Sequence, residues 1–173
     1  GSSNLFMTLE SFKEHELIEK HGVSIYTVDQ LVAITKRYPV DVVQIPVSIY
    51  DQRFISGGLA YDIKEKYGLE IHARSVFLQG LLLMEPSMIP KRLSKVKDHQ
   101  ICVQNLVQSE GRSMLDVAIS YVESLEEIDS VVYGVTALSE LKKILEVERL
   151  DVPRDITRQA ELKNTEILDP RKW

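Results

Sequence analysis

The sequence predicts an α/β fold built on a parallel sheet, and three observations predict it. Short apolar runs alternate with helical patterns along the chain. Strands separated by helices need crossover connections, and these join parallel neighbours. The strand candidates read as near-continuous apolar runs, as expected of strands covered on both faces. Two architectures satisfy all three, a doubly wound sheet or part of a (β/α)8 barrel. No G-x-G-x-x-G follows any strand candidate, which weighs against the dinucleotide-binding form of the first.

The elements follow in order. A helix is predicted over 8–20, with Leu9, Phe12, Leu17 and Ile18 as its apolar side. Gly22-Val23-Ser24-Ile25-Tyr26 reads as the first strand. Thr27-Val28-Asp29-Gln30 has the form of a capping box: the hydroxyl takes an orphan amide and the Gln reaches back. The helix behind it presents Leu31, Ile34 and Tyr38 and ends before Pro39. Val40-Asp41-Val42-Val43-Gln44-Ile45 is the second strand, closed by Pro46, which has no N–H for the ladder. The third helix, over 58–67, spaces Leu59, Ile63 and Tyr67 by four, and Gly68 is its C-terminal cap. A third strand covers 69–75, and Pro86 and Pro90 mark a long loop. Helix is predicted over 96–109. Ser113 then caps a helix whose Leu115, Ala118, Ile119 and Val122 form the clearest apolar stripe in the chain. Ser130-Val131-Val132-Tyr133-Gly134-Val135 is the fourth strand, with a helix over 139–147. The tail, 149–173, reads as polar with one short helix after Pro153.

Composition narrows the function classes. The 173 residues suffice for one domain, with 44% hydrophobic and 27% charged residues, ordinary for a globular protein. A net charge of -5 without a Lys/Arg cluster argues against nucleic acid and anionic membranes. The longest apolar run, 76–84, is far short of the ~20 residues that span a bilayer. One cysteine, Cys102, excludes an intrachain disulfide and fits a reducing cytoplasm. Gly1-Ser2-Ser3 has the look of a cloning remnant.

Five segments then carry a resemblance. Lys20-His21-Gly22-Val23-Ser24-Ile25-Tyr26 is similar to the fifth strand of aldo/keto reductases, and Asp41-Val42-Val43-Gln44-Ile45-Pro46 to their sixth. His72-Ala73-Arg74-Ser75-Val76-Phe77-Leu78-Gln79-Gly80-Leu81-Leu82 resembles the seventh strand and the cofactor loop behind it. Val132-Tyr133-Gly134-Val135-Thr136, followed by Leu141, resembles the eighth. The closing Leu168-Asp169-Pro170-Arg171-Lys172-Trp173 resembles bacterial members associated with surface polysaccharide and sugar nucleotides. The resemblance implies the C-terminal half of a (β/α)8 barrel, with about four parallel strands each followed by a helix, in one domain over 1–173.

It also implies a division of labour. The family's catalytic Asp, Tyr, Lys and His lie on or after strands two to four, so no catalytic residue is expected in this chain. His15, His21, His72 and His99 do not take their places by order. What the resemblance leaves is half of an NADP or NAD site. Ser24 and Gln44 match positions that hold the nicotinamide carboxamide, and the usual Asn after that Ser is Ile25 here. Arg74 stands where the family stacks a Tyr. Ser75, Phe77, Gln79 and Gly80 fall on the pyrophosphate loop, where a backbone must approach phosphate closely. Gly134 and Thr136 match the adenosine-phosphate end. There the usual basic residue is Ala137 and the usual Asn is Ile144, so cofactor binding is expected to be weak or absent.

Plainer readings stand beside these. Gln44 also reads as satisfying buried backbone groups, and Glu70, His72 and Arg74, alternating on one strand face, as a polar cluster filling the barrel mouth. Gly57-Gly58 reads as a turn more readily than as a phosphate cradle. Two functions follow: the cofactor-binding half of a carbonyl reductase, inactive alone, or a non-catalytic half-barrel serving binding or assembly. Half a barrel leaves two strand edges, and Val43, Ile45, Ile71 and the 77–83 run are expected to leave apolar surface uncovered. The expected partner is therefore a second copy, closing a barrel as a homodimer, or a separate N-terminal half-barrel; the alternative is a monomer whose N-terminal helix and C-terminal tail fold over the open face.

Overall fold

The computed structural model describes residues 2–173. Four strands form one sheet in the order β1 (Gly22–Ser24), β2 (Val42–Pro46), β3 (Glu70–Arg74) and β4 (Ser130–Val131). Every pairing is parallel, with Val23 opposite Val43, Val43 opposite Ile71, and Ala73 opposite Val131. Spatial order equals chain order. A doubly wound sheet reverses its order partway, so this is the progression of a barrel. Helix α1 (Ser2–Glu14) precedes β1, α2 (Val28–Arg37) follows it, and α3 (Leu59–Tyr67) follows β2. Helices α4 (Lys97–Ser109) and α5 (Met114–Glu123) follow β3, and α6 (Leu138–Leu145) follows β4. Two short helices, α7 (Arg154–Ala160) and α8 (Thr165–Leu168), close the chain.

Local chemistry sets the boundaries. At Thr27, Gln30 gives its N–H to the Thr27 hydroxyl at 3.2 Å and its side chain takes the Thr27 N–H at 3.2 Å. Ser113 and Asp116 repeat the arrangement before α5. Gly68 closes α3 at φ 65°, a conformation glycine adopts without a side-chain penalty. Gly22 has a different necessity: a Cβ there would lie 2.0 Å from the Val42 carbonyl oxygen, so only glycine lets β1 lie this close to β2.

The sheet has two unlike faces. Val43, Ile45, Ile71 and Ala73 are each 0% exposed. They pack into one core with Leu31 of α2, Ile63 of α3, Val103 and Val107 of α4, and Val117 and Val122 of α5. The alternate residues Gln44, Glu70, His72 and Arg74 are half-buried on the other face. The expectation that Val43, Ile45 and Ile71 leave apolar surface uncovered is therefore corrected, because strand alternation turns them all toward the helices. Of the 77–83 run, Leu78, Leu81 and Leu82 are buried and Leu83 is exposed.

Several boundaries differ from the sequence reading. Helix α1 starts earlier and stops at Glu14, with Glu16 at φ 58° ending it, so Leu17 and Ile18 lie outside. The fourth strand pairs over Ser130–Val131, the Val132 N–H still donates to the Ala73 carbonyl at 2.8 Å, and residues 133–136 leave the sheet. The loop carrying Pro86 and Pro90 folds into three 3-10 turns, Leu81–Leu83, Pro86–Met88 and Lys91–Val96. Gln100, fully buried on α4, holds that loop by giving its amide hydrogens to the carbonyls of Leu81, Leu82 and Met84 at 2.8, 3.1 and 3.0 Å, while Tyr50 donates its hydroxyl to Gln100 Oε1 at 2.7 Å.

The tail is also not merely polar. Ile156, Ala160, Ile167 and Leu168 are buried, His99 of α4 bonds the Ala160 carbonyl at 3.0 Å, and Leu162 gives its N–H to Tyr50. Its apolar residues are sparse enough to escape a periodicity search. Among the described residues, no helix is long and apolar enough to cross a membrane.

Candidate cofactor site

The site forms where strands β2, β3 and β4 give way to their following loops. A cavity of about 930 Å³ opens there, in the range of small-molecule and cofactor sites. Gln44 and Arg74 wall one part of it. Ser75, Val76, Phe77, Gln79 and Gly80 form its floor along the loop after β3, and Gly134, Thr136, Glu140, Lys143 and Ile144 bound it on the side of α6. Of the nine residues assigned from the sequence, eight line this cavity. Ser24 does not, but it supports two that do: its hydroxyl donates to Gln44 Oε1 at 3.3 Å and accepts from Arg74 Nε at 3.2 Å.

Arg74 is fixed on every side. Besides Ser24, its guanidinium donates to the Ser75 hydroxyl at 3.1 Å and the Ile25 carbonyl at 2.9 Å, and it lies 4.2 Å from the centre of the Tyr26 ring. A second cationic contact to that ring comes from Arg171, at 3.7 Å. Arg171 is paired with Asp169 at 2.7 Å. Arg74, by contrast, has no carboxylate partner among the described residues. Its acceptors are neutral, and burial pushes its guanidinium below the ordinary arginine value. A desolvated, unpaired cation in a cavity wall favours an anion there. The three-residue polar cluster expected on this face is corrected accordingly. Glu70 pairs with His72 at 2.7 Å and with Lys20, whereas Arg74 bonds away from both, toward β1.

The loop after β3 is conformationally unusual. Ser75, Leu78 and Gln79 take φ of 62°, 46° and 55°, and Gly80 follows at 85°. Non-glycine residues in this region carry strain that the surrounding structure must offset, and such strain concentrates at ligand sites. Here the anchors are the buried Leu78, Leu81 and Leu82 and the Gln100 bonds. A Cβ at Gly80 would meet nothing within 4 Å, so the chain leaves the space beside this backbone open. Gln79 and Gly80 give their N–H to no protein acceptor among the described residues. The Gln44 side-chain amide nitrogen is likewise unbonded. The reading of Gln44 as a group that satisfies backbone is corrected: among the described residues its side chain's one bond is from the Ser24 hydroxyl. Gly57 and Gly58, at φ 84° and 76°, make the turn into α3 and lie outside the cavity.

Sequence reasoning missed several members. Glu140 accepts the Thr136 N–H at 2.7 Å and the Thr136 hydroxyl at 3.1 Å; the spacing of a hydroxyl and an acid across the start of a helix was available as a signal. Tyr133 packs on Phe77 at 5.8 Å between ring centres and donates to Glu123 at 2.7 Å. Nothing in the sequence brings Arg171 to Tyr26. Among the described residues no group of three His, Cys, Asp or Glu is placed to hold a metal ion.

Comparison with known proteins accords with this layout. The family model described as "Aldo/keto reductase family" matches residues 2–161. A search of curated proteins by sequence finds no match. Among solved structures, aldo-keto reductase AKR11C1 from Bacillus halodurans, in its apo form, aligns with a TM-score of 0.68 at 17% identity, over 87% of this chain and 53% of its own. Its holo form gives the same score over 52% of its length. The glycerol dehydrogenase AKR11B4 from Gluconobacter oxydans aligns at 0.65 and 16% identity, over 92% of this chain and 52% of its own. At such identities the likeness shows the fold, and the chain spans about half the length of these barrels. Four parallel strands in chain order, a cavity at their C-terminal ends, and a family model matching most of the residues converge: this chain belongs to the aldo/keto reductase family and carries half of its (β/α)8 barrel.

Proposed function

We propose that this chain is the cofactor-binding half of an NAD(P)H-dependent aldo/keto reductase-like oxidoreductase, without the catalytic residues and inactive alone. The observation that carries the reading is the cavity wall itself: the unpaired Arg74 cation beside a strained loop whose Gln79 and Gly80 amides lack protein acceptors. These groups suit the diphosphate of a nicotinamide dinucleotide, with Gln44 placed for a carboxamide and Thr136 for the adenosine side. A bound nicotinamide supplies hydride in such enzymes. This chain's residues bind and orient. None of its four histidines lines the cavity: His15 bonds the Ser11 carbonyl, His21 bonds Glu10, His72 bonds Glu70, and His99 bonds the Ala160 carbonyl. The exposed Cys102 and the absence of any other cysteine support a reducing, cytoplasmic setting.

Calorimetry tests the reading. NADH or NADPH is expected to bind in the millimolar range, about 4 kcal/mol, because the contacts of the other half are missing, and Gly80→Glu is expected to abolish it. No aldehyde reduction above background is expected from the chain alone. Micromolar binding that survives Gly80→Glu, or turnover, contradicts the proposal.

A second reading is an assembly module, and exposed apolar residues at the two ends of the sheet support it. Leu138, Leu141 and Leu145 of α6 stand at 67%, 38% and 71% exposure beside Val132 and Val135, while α1 and its exit expose Leu5, Met7, Phe12 and Leu17. β1 and β4 each have one strand neighbour. A second copy, or a separate N-terminal half-barrel, suits both flanks. Light scattering decides: a homodimer is expected, and a monodisperse monomer near 20 kDa at micromolar concentration contradicts self-assembly.

A further inference from the structure

The cavity is electrically lopsided. Its strand end carries the Arg74 cation, while the α6 end carries a carboxylate, Glu140. Glu140 lies in the first turn of an eight-residue helix, where backbone amides and helix dipole otherwise favour an anionic ligand. Here the chain supplies that anion itself. The Thr136 N–H and then its hydroxyl bond the carboxylate and hold it below the usual range, so it stays ionised near neutrality. Ala137 at the helix start brings no cation. Lys143, one turn further along, is the cation that lines this end, and its charge offsets part of the carboxylate's.

Resting on the cofactor reading above, we propose that Glu140 sets the nucleotide specificity of this site, selecting an adenosine ribose with free hydroxyls, as in NAD(H), against one bearing a 2′-phosphate, as in NADP(H). An ionised carboxylate is an acceptor only. It takes hydrogen bonds from a vicinal diol and has no bond to offer a phosphate. A phosphate ester brings a charge of about -1.5 to -2 at neutral pH. Placed beside Glu140, that charge is repelled, and like charges about 4 Å apart differ by roughly fivefold per charge even at the dielectric of water. Arg74 at the other end serves the diphosphate common to both cofactors and so does not discriminate.

ADP-ribose and its 2′-phosphate isolate this end of the cofactor, since neither carries a nicotinamide. Titrated into the chain and followed by amide chemical shifts, ADP-ribose is expected to bind roughly tenfold or more tightly than the 2′-phosphate at low salt. Glu140→Gln keeps an oxygen for Thr136 and removes the charge, and is expected to narrow the ratio to about threefold or less by strengthening the phosphorylated ligand. Equal or tighter binding of the 2′-phosphate to the unaltered chain overturns the proposal. A preference that survives intact in Glu140→Gln also overturns it, since the selection then lies elsewhere. If neither compound binds while Gly80→Glu and unaltered chains behave alike, the cofactor reading falls, and this proposal with it.

Discussion

Val43 and Gln44 are neighbours in one strand, yet they belong to two different chemistries. Val43, with Ile45, Ile71 and Ala73, is sealed against the helices, and Gln44, with Glu70, His72 and Arg74, faces the hollow of an unclosed barrel. The first face is where the stability resides. The second is polar, half-wet and held by side-chain bonds that could be lost cheaply. The contrast teaches that this half-barrel builds its core on its own side, because the central strand residues Val43, Ile45, Ile71 and Ala73 are turned toward its own helices. What remains open is a site.

The largest expected effect breaks the comparison on its packed side. Ile71→Ala removes a fully buried side chain at the centre of the sheet and is expected to cost about 2–5 kcal/mol, a fall of several degrees in melting temperature per kcal/mol at this size. His72→Ala, the next residue on the open face, is expected to stay within about 0.5 kcal/mol. Similar losses from both, in thermal or urea unfolding, would erase the distinction between faces.

Next comes the approach of β1 to β2. Gly22→Ala puts a methyl 2.0 Å from the Val42 carbonyl oxygen, and overpacking of this kind costs about 1–3 kcal/mol. Denaturant titration checks it, and a neutral result would show that β1 is free to move away from the sheet. A comparable loss, about 1–3 kcal/mol, is expected for Tyr50→Phe, which strands Gln100 Oε1 in a fully buried position. Because Gln100 anchors the loop after β3, this variant should also raise amide exchange at Leu81–Leu83, linking core to site.

The smallest effect appears in acid. Burial acts to raise the Asp41 carboxyl, but the Lys13 ammonium at 2.6 Å and the His21 N–H at 3.0 Å outweigh it and hold the group below the usual range. A depressed folded value means that this contribution is present above about pH 4 and is lost as pH falls through the folded value. Asp41→Asn is therefore expected to be less stable at neutral pH and to lose part of the acid dependence. Parallel curves for the two proteins below pH 4 would remove Asp41 from the account.

Much of this was legible in the residues. The capping box at Thr27, the helix start at Ser113 and the helix end at Gly68 follow from local chemistry, whereas the choice of barrel order over a doubly wound sheet came from the resemblance. The site residues were legible through resemblance, and eight of the nine meet in one cavity. The inward or outward sense of each strand was not: a near-continuous run such as Val42-Val43-Gln44-Ile45 names a strand without naming its covered face. The tail escaped because its few buried residues, Ile156, Ala160, Ile167 and Leu168, have no sustained period. Arg171 reaches Tyr26 through the path of the whole chain, which no local pattern encodes. Glu140 was missed, since its place in the cavity and its bonds to Thr136 required the fold.

On the reading proposed above, the open face carries a dinucleotide half-site centred on Arg74 and the loop after β3. Amide chemical-shift mapping with NADH tests it most directly. Shifts concentrated at Ser75, Gln79, Gly80 and Thr136, weakened at least severalfold by Arg74→Leu with the melting temperature little changed, are the expected result. Shifts scattered over the exposed apolar flanks at Leu138 and Leu141, or an Arg74→Leu variant that binds as well as the unaltered chain, would contradict it.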